Sequence, residues 1–86
     1  KSIKPDEDYI NNIAYGYLKR KLYERAESFL KYNISNYPRS FNVYDSIGEY
    51  YEEIGDREKA IINYKKSISL NKDSYSKEKL LKLQMK

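Results

Sequence analysis

Residues 44–68 read YDSIGEYYEEIGDREKAIINYKKSI, and in them Tyr44, Ile47, Gly48, Tyr51 and Ile54 recur at spacings of three and four, as do Ala60, Ile61, Tyr64 and Ile68. Such spacing puts each set on one side of an α-helix. Between the two sets, Gly55-Asp56 reads as a stop followed by a start. Glycine takes the left-handed position after one helix, and an aspartate offers its carboxylate to the free amides of the next.

Upstream the same pattern recurs. From about Asp6, Ile10, Ile13, Ala14, Tyr17 and Leu18 form a stripe that Lys19-Arg20-Lys21 closes. A second stripe, Leu22, Ala26, Phe29, Leu30, Asn33 and Ile34, stops at Asn36-Tyr37-Pro38, because proline cannot continue a helix and restricts the residue before it. Ser40 is expected to cap the third helix with its side chain. Downstream, Leu70-Asn71-Lys72-Asp73 is an exit, and a fifth helix from Ser74 or Tyr75 carries Leu80, Leu81, Leu83 and Met85. No segment alternates with a period of two, so the fold class is all-α. Residues 1–5, with no periodicity and a closing proline, read as a linker or the tail of a preceding domain.

Displacing the sequence by 34 residues sets Ile10 on Tyr44, Ile13 on Ile47, Ala14 on Gly48, Tyr17 on Tyr51, Ala26 on Ala60, Leu30 on Tyr64 and Ile34 on Ile68, with no insertion. A fixed period of this length marks stacked supersecondary units. At these positions the chain resembles the tetratricopeptide repeat family over residues 7–74, with Lys72 in place of a proline that the family favours. The resemblance implies two tandem helix-turn-helix repeats, 6–39 and 40–73, and a capping helix at 74–86, together a fragment of a right-handed α-solenoid. The residues that define the repeat packing are then Ile13, Ala14, Tyr17, Ala26, Leu30, Tyr44, Ile47, Gly48, Tyr51, Ala60 and Tyr64. The small ones, Ala14, Gly48, Ala26 and Ala60, stand where helices cross closely.

The resemblance also places an inner face on the first helix of each repeat. It falls on Asp8, Asn11, Tyr15, Leu18 and Lys19 in the first repeat and on Asn42, Asp45, Glu49, Glu52 and Glu53 in the second. The second set is acidic, and its charge is not needed for packing on this reading. The face therefore suits a basic or amphipathic polypeptide. The run from Asn42 to Glu49 followed by Gly55-Asp56 looks like the carboxy-terminal appendage of bacterial serine hydrolases of the esterase or penicillin-recognising kind. On that likeness the module docks on an upstream catalytic domain that lies outside the chain.

Composition narrows the function classes. The 86 residues include eleven tyrosines, which must do much of the packing with their hydroxyls at the edge of a thin core. The absence of histidine and cysteine removes the usual zinc sites, histidine acid–base chemistry and disulfides. Surface carboxylates one helical turn apart, such as Asp45 with Glu49, have no enclosing pocket to raise a pKa for acid work. The chain is therefore expected to be non-catalytic, with no cofactor and no metal. No run of 18 apolar residues exists to span a membrane.

The net charge of +4 splits into +3 over residues 1–44, −5 over 45–58 and +6 over 59–86. Nucleic-acid binding through the lysine-rich last third, with Tyr32, Tyr37 and Tyr50 as stacking candidates, is the alternative. The acidic middle block argues against it. The closing helix is expected to cover the second repeat with Leu80, Leu81 and Met85, leaving Lys77, Lys82 and Lys86 wet. The first repeat has no such lid around Tyr9 and Ile13, so that end is expected to meet either an adjoining domain or a second copy as a homodimer. The sequence carries no compartment signal.

Overall fold

The computed structural model describes residues 5–86 and contains α1 (Glu7–Lys19), α2 (Tyr23–Asn36), α3 (Phe41–Glu53), α4 (Arg57–Leu70) and α5 (Ser76–Gln84). No strand occurs among the described residues, as expected of an all-α chain. Of the segment read as a linker, Lys1 to Lys4 lie outside the described residues. The carbonyl of Pro5 accepts a hydrogen bond from the Tyr37 hydroxyl at 2.5 Å.

Adding 34 to the bounds of α1 and α2 gives the bounds of α3 and α4, residue for residue. The turns repeat as well. Lys21 and Gly55, 34 apart, both have positive φ, 61° and 86°. The following amides of Leu22 and Asp56 donate to Tyr17 O at 2.9 Å and Tyr51 O at 2.8 Å. Asp56 caps α4 by accepting from the Lys59 amide at 3.2 Å, as Asp6 does for α1 from Tyr9 at 3.2 Å.

Ser40 stands at the N-cap of α3, but its hydroxyl makes no cap bond. It donates instead to Glu7 Oε2 at 2.6 Å, a charge-assisted bond to the start of α1 that is stronger than a neutral cap. Leu22 and Ile54, read as members of apolar stripes, fall at helix boundaries and are exposed.

α1 packs on α2 and α3 on α4, while α2 with α3, and α4 with α5, join the pairs. The core holds Ala14, Ala26, Leu30, Ile47, Tyr50, Tyr51, Ala60, Tyr64 and Leu83. Of the repeat-defining set, Ile13, Tyr17 and Tyr44 are half-buried and the others buried. The close crossings have a visible cause at Gly48, where an added Cβ would stand 2.5 Å from Cε1 of the buried Tyr64 ring. In the first pair the same two positions are Ala14 and Leu30, a larger residue facing a smaller one.

Each pair is also pinned at its far end. Asn33 Nδ2 donates to Glu7 O at 3.0 Å, and 34 residues on Ser67 Oγ donates to Phe41 O at 2.7 Å. The molecule measures 46 × 29 × 16 Å. In a body only 16 Å thin, a buried ring can still reach a polar partner with its hydroxyl, which suits a tyrosine-rich core.

α5 departs from the expected cap. Leu83 is buried and Leu80 half-buried, but Leu81 is 60% and Met85 75% exposed. The inward face of this helix runs through Ser76, Lys79, Leu80 and Leu83, a spacing of three, one and three. That register leaves Leu81 and Met85 on the opposite side.

Candidate interaction groove

Side chains 34 residues apart meet between α1, α3 and the end of the chain. The Tyr15 hydroxyl donates to Glu49 Oε1, joining α1 to α3. Lys79 Nζ donates to Asp45 Oδ2 at 2.7 Å and pairs with Glu49 Oε2 at 2.6 Å, joining α3 to α5. Lys86 Nζ lies 3.8 Å from Glu52 Oε2. Tyr64, from α4, donates to Glu52 Oε1 at 2.8 Å.

Asp45 Oδ1 accepts a further bond from Ser76 Oγ at 2.6 Å. Behind it, Ser67, Ser74 and Ser76 form a chain. Ser67 already donates to Phe41 O, so in the 2.7 Å contact between the Ser67 and Ser74 hydroxyls it is Ser74 that donates, while accepting from the Ser76 amide at 3.1 Å. Every proton in this buried chain therefore has a defined acceptor, as buried polar networks require.

These contacts correct one expectation: the acidic charge of the second inner face is used in packing. Asp45 is 7% exposed and held by two donors. Glu49 bridges Tyr15 and Lys79, and Glu52 accepts from Tyr64. Nor do these carboxylates share one open surface, since Asp45 is buried while Glu53 is exposed.

The surroundings shift the protons of the groove in one direction. Burial, followed by the bond to Glu49, raises the Tyr15 phenol well above its ordinary value, and burial with the bond to Glu52 does the same for Tyr64. For Lys79, burial works against the charge, but the bonds to Asp45 and Glu49 outweigh it and the ammonium is held above its usual range.

A concavity of about 520 Å³ opens over these rows, lined by Tyr15, Leu18, Glu49, Glu52, Glu53, Tyr64, Lys79 and Lys86. Five of the ten expected groove residues thus come together: Tyr15, Leu18, Glu49, Glu52 and Glu53. Asp45 lies beneath, behind Lys79, while Asp8, Asn11, Lys19 and Asn42 are not part of the lining. Tyr64, Lys79 and Lys86 were not among the expected groove residues. For the two lysines the signal was the period itself, since Lys79 and Lys86 follow Asp45 and Glu52 by 34 residues.

The residues proposed for base stacking are placed differently. Tyr50 is buried in the core, Tyr37 is half-buried and bonded to Pro5, and Tyr32 is exposed. Lys59 and Lys66 lie over the Tyr51 and Tyr44 rings at 5.5 and 5.7 Å. A second, apolar hollow of about 400 Å³ lies between α1 and α2, lined by Pro5, Ile10, Ser28, Phe29 and Tyr32.

Among the described residues no group of three or more acidic, histidine or cysteine side chains is placed to hold a metal ion. None of the described helices is long and apolar enough to cross a membrane. Comparison with protein-family models found no match to the chain, and comparison with curated proteins found none either.

Proposed function

We propose that the chain is a non-catalytic protein-interaction module of the tetratricopeptide class, in which two repeats and a capping helix form a short right-handed solenoid that grips a polypeptide over α1 and α3. The observation that carries this reading is the recurrence at 34 residues of helix bounds, turn conformations, end-pinning hydrogen bonds and small-residue crossings. Stacked units of this kind present a continuous concave surface. The 520 Å³ concavity, with apolar Leu18 and tyrosine rings beside carboxylates, is a surface of that type.

The test is selection of peptides on the full chain from a displayed library, repeated with a Leu18→Gln, Glu53→Lys variant and with Tyr32→Ser, all checked for folding by circular dichroism. Peptides that lose affinity about tenfold, roughly 1.4 kcal/mol, with the first variant and not the second support the groove. Selection of peptides indifferent to both variants overturns it.

A second reading rests on the apolar hollow. Val43 and Ile47 are buried, whereas their counterparts one repeat earlier are Tyr9, which is exposed, and Ile13, which is half-buried. With Ile10, Phe29 and Tyr32 nearby, this end suits docking on an adjoining domain, including an upstream hydrolase, or on a second copy. Binding that follows Tyr32→Ser alone favours it.

A further inference from the structure

Among the described residues, the ion pairs that join one helix to another all involve α5 or the residues that follow it. α5 contributes one buried aliphatic side chain, Leu83, with Leu80 beside it, and turns Tyr75, Leu81 and Met85 outward. What fastens it is polar: Ser76 and Lys79 on Asp45, Lys79 on Glu49, Lys86 near Glu52, and Arg57 on the carbonyl of Leu83 at 3.4 Å.

The geometry of the two partners is complementary. Asp45, Glu49 and Glu52 lie four and three residues apart and so share a face of α3. Lys79 and Lys86 lie seven apart and share a face at the end of the chain. Lys79 from α5, and Lys86 from the two residues beyond it, therefore already stand over the acidic row that forms one wall of the concavity.

That occupancy leaves charge over. Asp45, Glu49, Glu52 and Glu53 supply four negative charges against the two of Lys79 and Lys86, and among the described residues no ion pair reaches the exposed Glu53. The Lys86 contact is itself weak, a 3.8 Å approach by a side chain that is mostly in water.

From these contacts we infer that α5 is an internal ligand of the α3 carboxylate row, and that the partner of the groove is a helical protein segment carrying lysines or arginines two turns apart, which binds by displacing α5. This rests on the groove reading above. Exchange of one lysine helix for another remakes the same ion pairs, returns Leu83 and Leu80 to water and opens the Ser67–Ser74–Ser76 chain, whose hydroxyls water can satisfy in turn. Displacement of α5 is therefore far easier than opening the α3–α4 pair, whose Tyr64, Ala60 and Ile47 are buried together.

The experiment uses the full chain and a fluorescent synthetic peptide copying residues 74–86, with a control peptide in which the lysines at 77, 79, 82 and 86 are glutamine. Anisotropy is measured for wild type and for Lys86→Gln, which removes an exposed side chain without touching the core. The lysine peptide is expected to bind, to bind Lys86→Gln about two- to fivefold tighter, the worth of one exposed ion pair, and to weaken between about 0.05 and 0.3 M salt as screening shortens. Hydrogen exchange across 76–84 is expected to speed up when peptide is bound. Equal binding of the glutamine peptide, no gain in Lys86→Gln, or unchanged exchange in α5 overturns the inference. Groove-dependent peptides from the displayed library that carry no basic pair also overturn it, while leaving the groove reading intact.

Discussion

The two helix pairs are the same object built twice with different materials. Where α1 and α2 have Leu18 and Leu30, α3 and α4 have Glu52 and Tyr64 joined by a 2.8 Å hydrogen bond. Where the first turn uses Lys21 and Leu22, the second uses Gly55 and Asp56. The first pair is thus apolar at that edge and poorly punctuated at its turn, and the second is polar there and well punctuated at its turn. A common backbone period tolerates this because each position needs only a compatible volume and a satisfied polar group, not a fixed residue.

The largest effect that should separate the two pairs is alkaline unfolding. Tyr15, Tyr64 and Lys79 all have raised pKa values in the folded chain, so the native state keeps protons that the unfolded chain gives up near pH 10, the ordinary range of these groups. Their stabilisation is fully present below about pH 10 and is lost as the pH rises further. Each such proton removes up to ~1.4 kcal/mol per pH unit. Urea midpoints measured from pH 8 to 11 should therefore fall steeply above 10. Tyr64→Phe should start from a lower midpoint, because Glu52 loses its donor, but decline less steeply, whereas the exposed Tyr32→Phe should follow wild type. A Tyr64→Phe curve parallel to wild type would show that the second pair's polar edge is not what titrates.

Next in size is the crossing at Gly48. A methyl group there meets the Tyr64 ring at 2.5 Å, and that ring is buried. Gly48→Ala should therefore cost about 1–3 kcal/mol through overpacking, offset in part by the ~1 kcal/mol that alanine gains over glycine in a helix. Adding Tyr64→Leu converts the crossing to the Ala14 and Leu30 arrangement of the first pair. The double variant should recover part of the loss, giving a favourable coupling in a double-mutant cycle by urea unfolding. Additivity would mean that the two residues do not sense each other.

How much of this was legible in the sequence follows from the same comparison. Helix positions were, because the apolar spacing, Asp6, Gly55-Asp56 and Pro38 are local signals. Of the ten positions expected on an inner face, five line the 520 Å³ concavity. The use of their charge in packing was missed because the donors come from elsewhere in the chain: Tyr15 from α1, Tyr64 from α4, Ser76 and Lys79 from α5. Ser40 was read as a cap because nothing local reveals that Glu7, 33 residues earlier, competes for its hydroxyl. The face of α5 was misjudged for a related reason. Leu80, Leu81, Leu83 and Met85 are consistent with several registers, and the choice among them is made by Ser76 and Lys79 meeting Asp45.

A smaller effect lies at the start of α2. Leu22 occupies its N-cap and provides no side-chain bond, whereas Asp56 at the matching place accepts from the Lys59 amide. Leu22→Asp should supply the missing acceptor. A good cap is worth roughly 1 kcal/mol, and an acidic group at a helix N-terminus adds a few tenths. Against this stands the loss of a partly exposed leucine. A net gain of about 0.5–1 kcal/mol in urea unfolding is expected, and no gain would mean that Leu22 contributes more packing than its exposure implies.

The smallest effect is expected one residue earlier. Lys21 has φ of 61°, a left-handed conformation that L-residues other than asparagine and aspartate seldom adopt, while Gly55 accepts the matching 86° without penalty. Placing an L-residue there costs ~1 kcal/mol, so Lys21→Gly relieves that strain. It also enlarges the freedom of the unfolded chain, which takes back about 0.4–1 kcal/mol. The two nearly cancel, leaving a stabilisation of a few tenths of a kcal/mol. The reverse change, Gly55→Lys, meets the same strain and is offset by the same reduction in unfolded-chain freedom, so it should destabilise by a few tenths of a kcal/mol. If thermal unfolding instead shows Gly55→Lys to be neutral, the left-handed turn is not a constraint that the second pair needs glycine to meet, and the contrast in punctuation between the pairs rests on Asp56 alone.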